Sequence, residues 1–132
     1  MLVNSFIKTE VYEGDMHDGK RHGIGECKYS NGGRYTGHWV NGKRHGKGIY
    51  LDLYDNIYSG QWADDKRSGH GRQFWGDGPW RDFYEGEWLN NNFHGRGVYK
   101  LVWKKTEYEG DFVSGKYHGK GKLTNKEDGS EF

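Results

Sequence analysis

The sequence predicts an all-β fold built of five tandem antiparallel hairpins, and three observations carry that expectation. Similar segments begin at Tyr12, Tyr35, Tyr58, Tyr84 and Tyr108, at spacings of 23, 23, 26 and 24 residues. Each segment places Tyr, Gly and a large apolar residue at alternate positions, as in Tyr35, Gly37 and Trp39. Side chains on a strand alternate between faces, so these three share one face. Seven residues after the tyrosine comes a turn residue, as in Asp18-Gly19 and Asn41-Gly42. Such pairs tolerate positive φ at both positions and mark a two-residue hairpin turn.

Residues 1–11 precede the first copy and are expected to form a lead-in or capping strand. The repeats then fill 12–34, 35–57, 58–83, 84–107 and 108–131. Phe132, in the context DGSEF, stands where a sixth repeat would start. The copies open YEGDMHDGKRHGIG, YTGHWVNGKRHGKG, YSGQWADDKRSGHG, YEGEWLNNNFHGRG and YEGDFVSGKYHGKG. Met16 and Phe112 stand where the others carry Trp, Asp65 and Asn91 replace the turn glycine, and Ser68 replaces a recurring histidine. Residues between the alternating apolar ones are polar, for example Thr36 and His38, and should face the other way. The second strand of each hairpin is expected to run from the paired glycines, as in Gly46 through Leu51. Those glycines, eleven and thirteen residues after the tyrosine, are expected beneath the aromatic rings, where a Cβ would lift the rings from the sheet. A lone hairpin is marginal in water, so the five should stack edge to edge.

Composition supports a folded chain. The net charge is only +1, and 6 Trp, 10 Tyr and 6 Phe supply apolar area that can lie on 23 glycines. Near-neutral charge gives no global attraction for nucleic acid, which is not an expected partner. The single cysteine, Cys27, excludes an intrachain disulfide and suits a reducing compartment. No signal peptide is expected from residues 1–10, and no segment approaches the roughly 18 apolar residues that span a bilayer. A soluble, cytoplasmic location is the resulting expectation.

The pattern YxGxWxxGKxHGxG resembles the MORN repeat (membrane occupation and recognition nexus), over residues 12–132. The resemblance implies an elongated, twisted single-layer antiparallel sheet of consecutive hairpins. It also implies a scaffolding or targeting role, as in junctophilins, plant phosphatidylinositol-phosphate kinases, ciliary radial-spoke and sperm proteins, and parasite cytoskeletal proteins. Some arrays of the family hold a peptide or helix in an aromatic groove, some associate end to end or as dimers, and lipid binding is also attributed to them. A cytoskeletal, ciliary or membrane-associated location follows from the same resemblance.

Catalytic, metal and cofactor chemistry is not expected. The GxG units recur once per repeat with no helix pattern after them, unlike a dinucleotide-binding loop. His22, His45, His94 and His118 recur one per hairpin, about 10 Å apart at the usual strand spacing, too far to share a zinc ion. Hydrogen bonding near the hairpin tip is their expected role. Acids and histidines follow the repeat rather than converging on one pocket.

Two sets of residues are binding candidates. The aromatic set is Tyr12, Tyr35, Trp39, Tyr58, Trp62, Tyr84, Trp88, Tyr108 and Phe112, with Tyr50, Trp75, Trp80 and Tyr99 beside it. These rings either form the core or, with no helix to cover them, present a strip to a partner peptide or helix. Trp80, beside the one proline, is either an exposed anchor or folds back on the sheet. The basic set is Lys20, Arg21, Lys43, Arg44, Lys66, Arg67 and Lys116, at or just after the turns. It reads as solvated charge that discourages edge pairing, or as a contact for acidic phospholipid headgroups. The leading expectation is a non-catalytic protein-binding scaffold with an aromatic groove. Membrane recruitment through the basic turns is the second, and self-assembly through open strand edges into a homo-oligomer is the third.

Overall fold

The computed structural model describes residues 10–125 and 130–131, and among these there is no helix. All strands belong to one antiparallel sheet whose spatial order is the order of the chain. The five hairpins are β1 (Val11–His17) with β2 (Lys20–Lys28), β3 (Arg34–Val40) with β4 (Lys43–Leu51), β5 (Ile57–Ala63) with β6 (Lys66–Phe74), β7 (Phe83–Leu89) with β8 (Asn92–Leu101), and β9 (Thr106–Val113) with β10 (Lys116–Asn125). A short β11 (Ser130–Glu131) pairs with the end of β10. The all-β array of sequential hairpins is therefore as the sequence predicts. Of the expected lead-in strand over residues 1–11, residues 1–9 lie outside the described residues and Val11 already belongs to β1; the expected sixth repeat at 132 also lies outside them.

Turn chemistry explains the hairpins. Both central turn residues have positive φ in every repeat: Asp18 and Gly19, Asn41 and Gly42, Asp64 and Asp65, Asn90 and Asn91, Ser114 and Gly115. That is the requirement of a type I′ turn, whose twist matches the flanking strands. Because the turn takes only two residues, the second strand begins at once, at Lys43 rather than at Gly46 as expected.

Register is held by a ladder of glycines crossing the whole sheet. Gly14 faces Gly25, which faces Gly37 on its other side, and so on through Gly48, Gly60, Gly71, Gly86, Gly97, Gly110 and Gly121. The tyrosine of each repeat lies across this ladder. A Cβ on Gly48 would stand 2.1 Å from Tyr35 Oη, and Gly25, Gly71, Gly97 and Gly121 are covered in the same way by Tyr12, Tyr58, Tyr84 and Tyr108.

The glycine eleven residues after the tyrosine does something else, which corrects the expectation that both paired glycines underlie rings. In the first four hairpins the register shifts between the second and fourth residues after the tyrosine, for example between Gly37 and Trp39. Gly37 pairs with Gly48 and Trp39 with Arg44, so His45, Gly46 and Lys47 form a bulge opposite His38. Gly46 takes φ 86° there, and the equivalent Gly23, Gly69, Gly95 and Gly119 are also positive. A Cβ at Gly46 would meet His38, on the side away from the tyrosine. A left-handed bulge residue, not ring packing, selects this glycine. Polar side chains then satisfy the bulged backbone: Asp15 Oδ2 accepts from Ile24 N at 2.9 Å and Gln61 Oε1 from His70 N at 2.9 Å.

Candidate functional site

One face of the sheet is aromatic, and its rings are locked by their own polar atoms. Each tyrosine donates its hydroxyl proton to the carbonyl three residues on: Tyr12 to Asp15, Tyr35 to His38, Tyr58 to Gln61, Tyr84 to Glu87 and Tyr108 to Asp111, at 2.6–2.9 Å. The tryptophan four residues after the tyrosine donates its Nε1 proton back to the ladder glycine of the preceding repeat: Trp39 to Gly25, Trp62 to Gly48 and Trp88 to Gly71, at 3.0–3.2 Å. Tyrosine and tryptophan rings meet edge to face within and between repeats, as Tyr35 meets Trp39 at 5.1 Å and Trp62 at 5.3 Å. Such contacts complement the ring quadrupoles.

The result is a core. Tyr35, Trp39, Tyr58, Trp62, Tyr84, Trp88, Tyr108 and Phe112 are all buried, with Cys27 beside them. Eight of the candidate groove residues are thus placed beneath the surface. What covers them is the residue nine after each tyrosine: Arg21, Arg44, Arg67, Phe93 and Tyr117. Arg21 lies over Tyr12 and Trp39, Arg44 over Trp62 at 4.7 Å, and Arg67 over Trp88 at 4.5 Å. Phe93 stacks on Tyr84 at 3.9 Å and Tyr117 on Tyr108 at 4.0 Å. Stacked guanidinium and flat rings supply the cover that a second layer of structure would otherwise provide.

The basic candidates therefore divide. Lys20, Lys43, Lys66 and Lys116 are exposed at the turns. Arg21, Arg44 and Arg67 are half-buried on the aromatic face and hydrogen-bonded there. Arg44 donates from its backbone N and Nε to Asp65 Oδ1, at 2.9 and 3.1 Å, and from Nη2 to the Asp65 carbonyl at 3.1 Å. The histidines also link repeats: His22 Nδ1 accepts from Asn41 N, and His45 Nδ1 from Asp64 N.

The aromatic surface left open is a second row on the later part of the even-numbered strands and the connections after them. Tyr12, Tyr50, Trp75 and Tyr99 are half-buried, as are Tyr29 and Phe93, which sequence reasoning did not single out. Trp75 stacks on Tyr99 at 5.6 Å, and Tyr29 lies 5.9 Å from Tyr50. The signal that finds Tyr29 is its place, seventeen residues after Tyr12 as Trp75 is after Tyr58. A concavity of about 330 Å³ opens among Tyr50, Trp62 and Trp75, with Arg44, Arg67, Asp52 and Asp65 on its walls. Burial shapes the titration of this face: it raises Tyr35 to about 12, and raises Tyr29, Tyr58 and Tyr84 further still.

The inter-repeat connections gather at the margin opposite the lysines. There Leu53, Tyr54, Trp80 and Trp103 are exposed, Trp80 to 69%. Its ring does not join the core, although the loop carrying it is tied by Trp75 N to the Asp82 carbonyl at 3.0 Å and by Gly76 N to Asn56 Oδ1 at 2.7 Å. The other face of the sheet has a shallower hollow of about 600 Å³ between Ile24, His38, Ile49 and His70. Among the described residues, no three His, Cys, Asp or Glu side chains are grouped to hold a metal ion. No helix among them is long and apolar enough to cross a membrane.

A family model described as MORN repeat matches residues 12–34, 35–52, 58–79, 84–104 and 108–126. No curated protein matches the sequence closely enough to be named as a relative.

Proposed function

Since the chain belongs to the MORN-repeat family, whose repeats commonly bind proteins or membranes and are generally non-enzymatic, we propose that it is a non-catalytic scaffold that receives a peptide or helical segment of a partner protein on its second aromatic row. The observation that carries this reading is the half-open line of Tyr29, Tyr50, Trp75 and Tyr99 beside a concavity of about 330 Å³. Amphipathic rings held rigid from below, with their outer faces open, are the usual anchors of a recognition surface. The buried rings beneath do not touch the partner; they fix the row above them. Trp80 and Trp103, at the loop margin, extend the apolar surface beyond the row.

The test is capture from native lysate by wild-type protein and by a Tyr50→Ser, Trp75→Ser, Tyr99→Ser variant, after circular dichroism and melting show that the variant folds. A protein retained by the first and lost from the second supports the reading. Identical capture by both removes it. The membrane alternative rests on Lys20, Lys43, Lys66 and Lys116, because the three arginines are engaged with rings and acceptors. Binding to phosphatidylserine vesicles that falls on changing those lysines to glutamine, and ignores the aromatic changes, would favour it. Such binding should also weaken steeply with salt. Self-assembly through β1 would instead show as concentration-dependent sedimentation.

A further inference from the structure

The three arginines that cover the aromatic core differ in their electrostatic company. Arg21 Nη2 is 2.9 Å from Glu10 Oε2, and Arg44 Nε is 3.1 Å from Asp65 Oδ1. One repeat on, Asn91 stands where Asp65 stands, with nearly the same backbone φ, 71° against 70°. It also reproduces the bonds. Arg67 donates from backbone N and Nε to Asn91 Oδ1 at 2.9 and 3.3 Å, and from Nη2 to the Asn91 carbonyl at 3.1 Å. The remaining partner is another neutral amide, Gln73 Oε1, 3.0 Å from Nη1. The geometry of an ion pair is kept while its negative charge is absent.

Among the described residues no carboxylate pairs with Arg67, which is half-buried over Trp88. Burial, together with the neighbouring Arg44 charge, pulls its pKa below the usual guanidinium value. A guanidinium carries five N–H donors. Three are used, leaving one on each terminal nitrogen for the two oxygens of a carboxylate. Arg67 lines the concavity beside Tyr50 and Trp75. The carboxylates of that concavity are already engaged: Asp65 on Arg44, and Asp52 by the backbone N–H of Tyr54 and Asn56 and the Asn56 amide.

We propose that Arg67 is the anchor for one aspartate or glutamate side chain of the partner segment, whose apolar neighbours lie against Tyr50 and Trp75. The two arginines and two aspartates of the concavity sum to no net charge, which disfavours a phosphate dianion more than a singly charged carboxylate on Arg67, and aromatic walls match a peptide rather than a free acid. This rests on the groove reading above and names the chemistry that the groove selects.

The test uses random peptides displayed on phage and selected against the wild-type chain, with the recovered sequences resynthesised as blocked peptides. Recovered peptides should carry an acidic residue beside aliphatic or aromatic ones. Replacing that acid by its amide should weaken binding about tenfold or more, the scale of a charge-assisted hydrogen-bonded pair. Asn91→Asp, which gives Arg67 the carboxylate that Arg44 already has, should weaken the acidic peptides to a similar degree without lowering the melting temperature. It should leave their amide versions unchanged. Asp65→Asn, which frees Arg44, should strengthen the acidic peptides. Peptides that bind, depend on Trp75, and ignore both their own acid and Asn91→Asp would overturn the anchor while leaving the groove. A preference for phosphoserine over glutamate would overturn the carboxylate assignment. Failure to recover peptides that depend on Trp75 would remove the groove and the anchor together.

Discussion

Replacing Gly48 by alanine should be the most damaging small change in the second repeat. The new Cβ would stand 2.1 Å from Tyr35 Oη and 2.2 Å from Cζ, so the ring must leave its place. Tyr35 is fully buried, edge-on to Trp39 and Trp62, and donates to the His38 carbonyl at 2.8 Å. Displacing it should cost what truncating a buried aromatic costs, about 3–5 kcal/mol. Gly46→Ala tests the other glycine. Its nearest obstacle is His38 Cβ at 3.3 Å, and its backbone is left-handed, so strain of about 1–3 kcal/mol is expected. Lys47 is exposed between them, and Lys47→Ala should stay within about 0.5 kcal/mol. Repeat arrays can lose repeats separately, so denaturant melts should be paired with hydrogen exchange that localises the loss to the second hairpin. A double-mutant cycle isolates the cause: if the clash is what matters, Gly48→Ala should add little once Tyr35→Ala has removed the ring. Full additivity of the two, or a cost for Gly48→Ala no larger than for Lys47→Ala, would refute the packing argument.

Alkaline pH should unfold the array through its tyrosines. Burial raises Tyr35 from 10.0 to about 12 and moves Tyr58 and Tyr84 the same way. The folded state therefore holds these protons more tightly than the unfolded one. The stability they contribute is complete below about pH 10 and is lost as pH rises through about 12. Melting temperature should fall across that window together with the rise of tyrosinate absorbance, and a flat melting profile there would contradict the burial. Cys27 is fully buried, burial raises its thiol pKa, and Arg21 Nη1 reaches its sulfur at 3.4 Å. Alkylation at neutral pH should be slow until the protein is denatured, whereas rapid native-state labelling would place the thiol outside the core.

Much of the candidate binding surface was not legible in the residues, and the reason lies in what covers what. Tyr35, Trp39 and their equivalents are conspicuous because they recur, yet recurrence marks them as packing units rather than contacts. The open row of Tyr29, Tyr50, Trp75 and Tyr99 draws on two positions, fifteen and seventeen residues after the tyrosine, whose types vary from repeat to repeat, so Tyr29 escapes a search for periodic positions. Arg44 and Lys43 are adjacent in the chain and look alike as cations, but a strand sends them to opposite faces. One then covers Trp62 while the other meets solvent.

By itself the sequence determined the hairpin count, the two-residue turns and the face shared by each tyrosine and tryptophan. All of these depend on short-range spacing and on residues such as Asn41 and Gly42 that accept positive φ. Only the tertiary structure decided that Gly46 serves a bulge while Gly48 underlies a ring, that arginines close the aromatic face, and that Arg67 lacks the carboxylate Arg44 has. Each of those facts depends on which atoms of the neighbouring strand or repeat come opposite, as Asn91 comes opposite Arg67 from 24 residues away. Within-strand alternation sets direction, but only the stacked neighbour sets company.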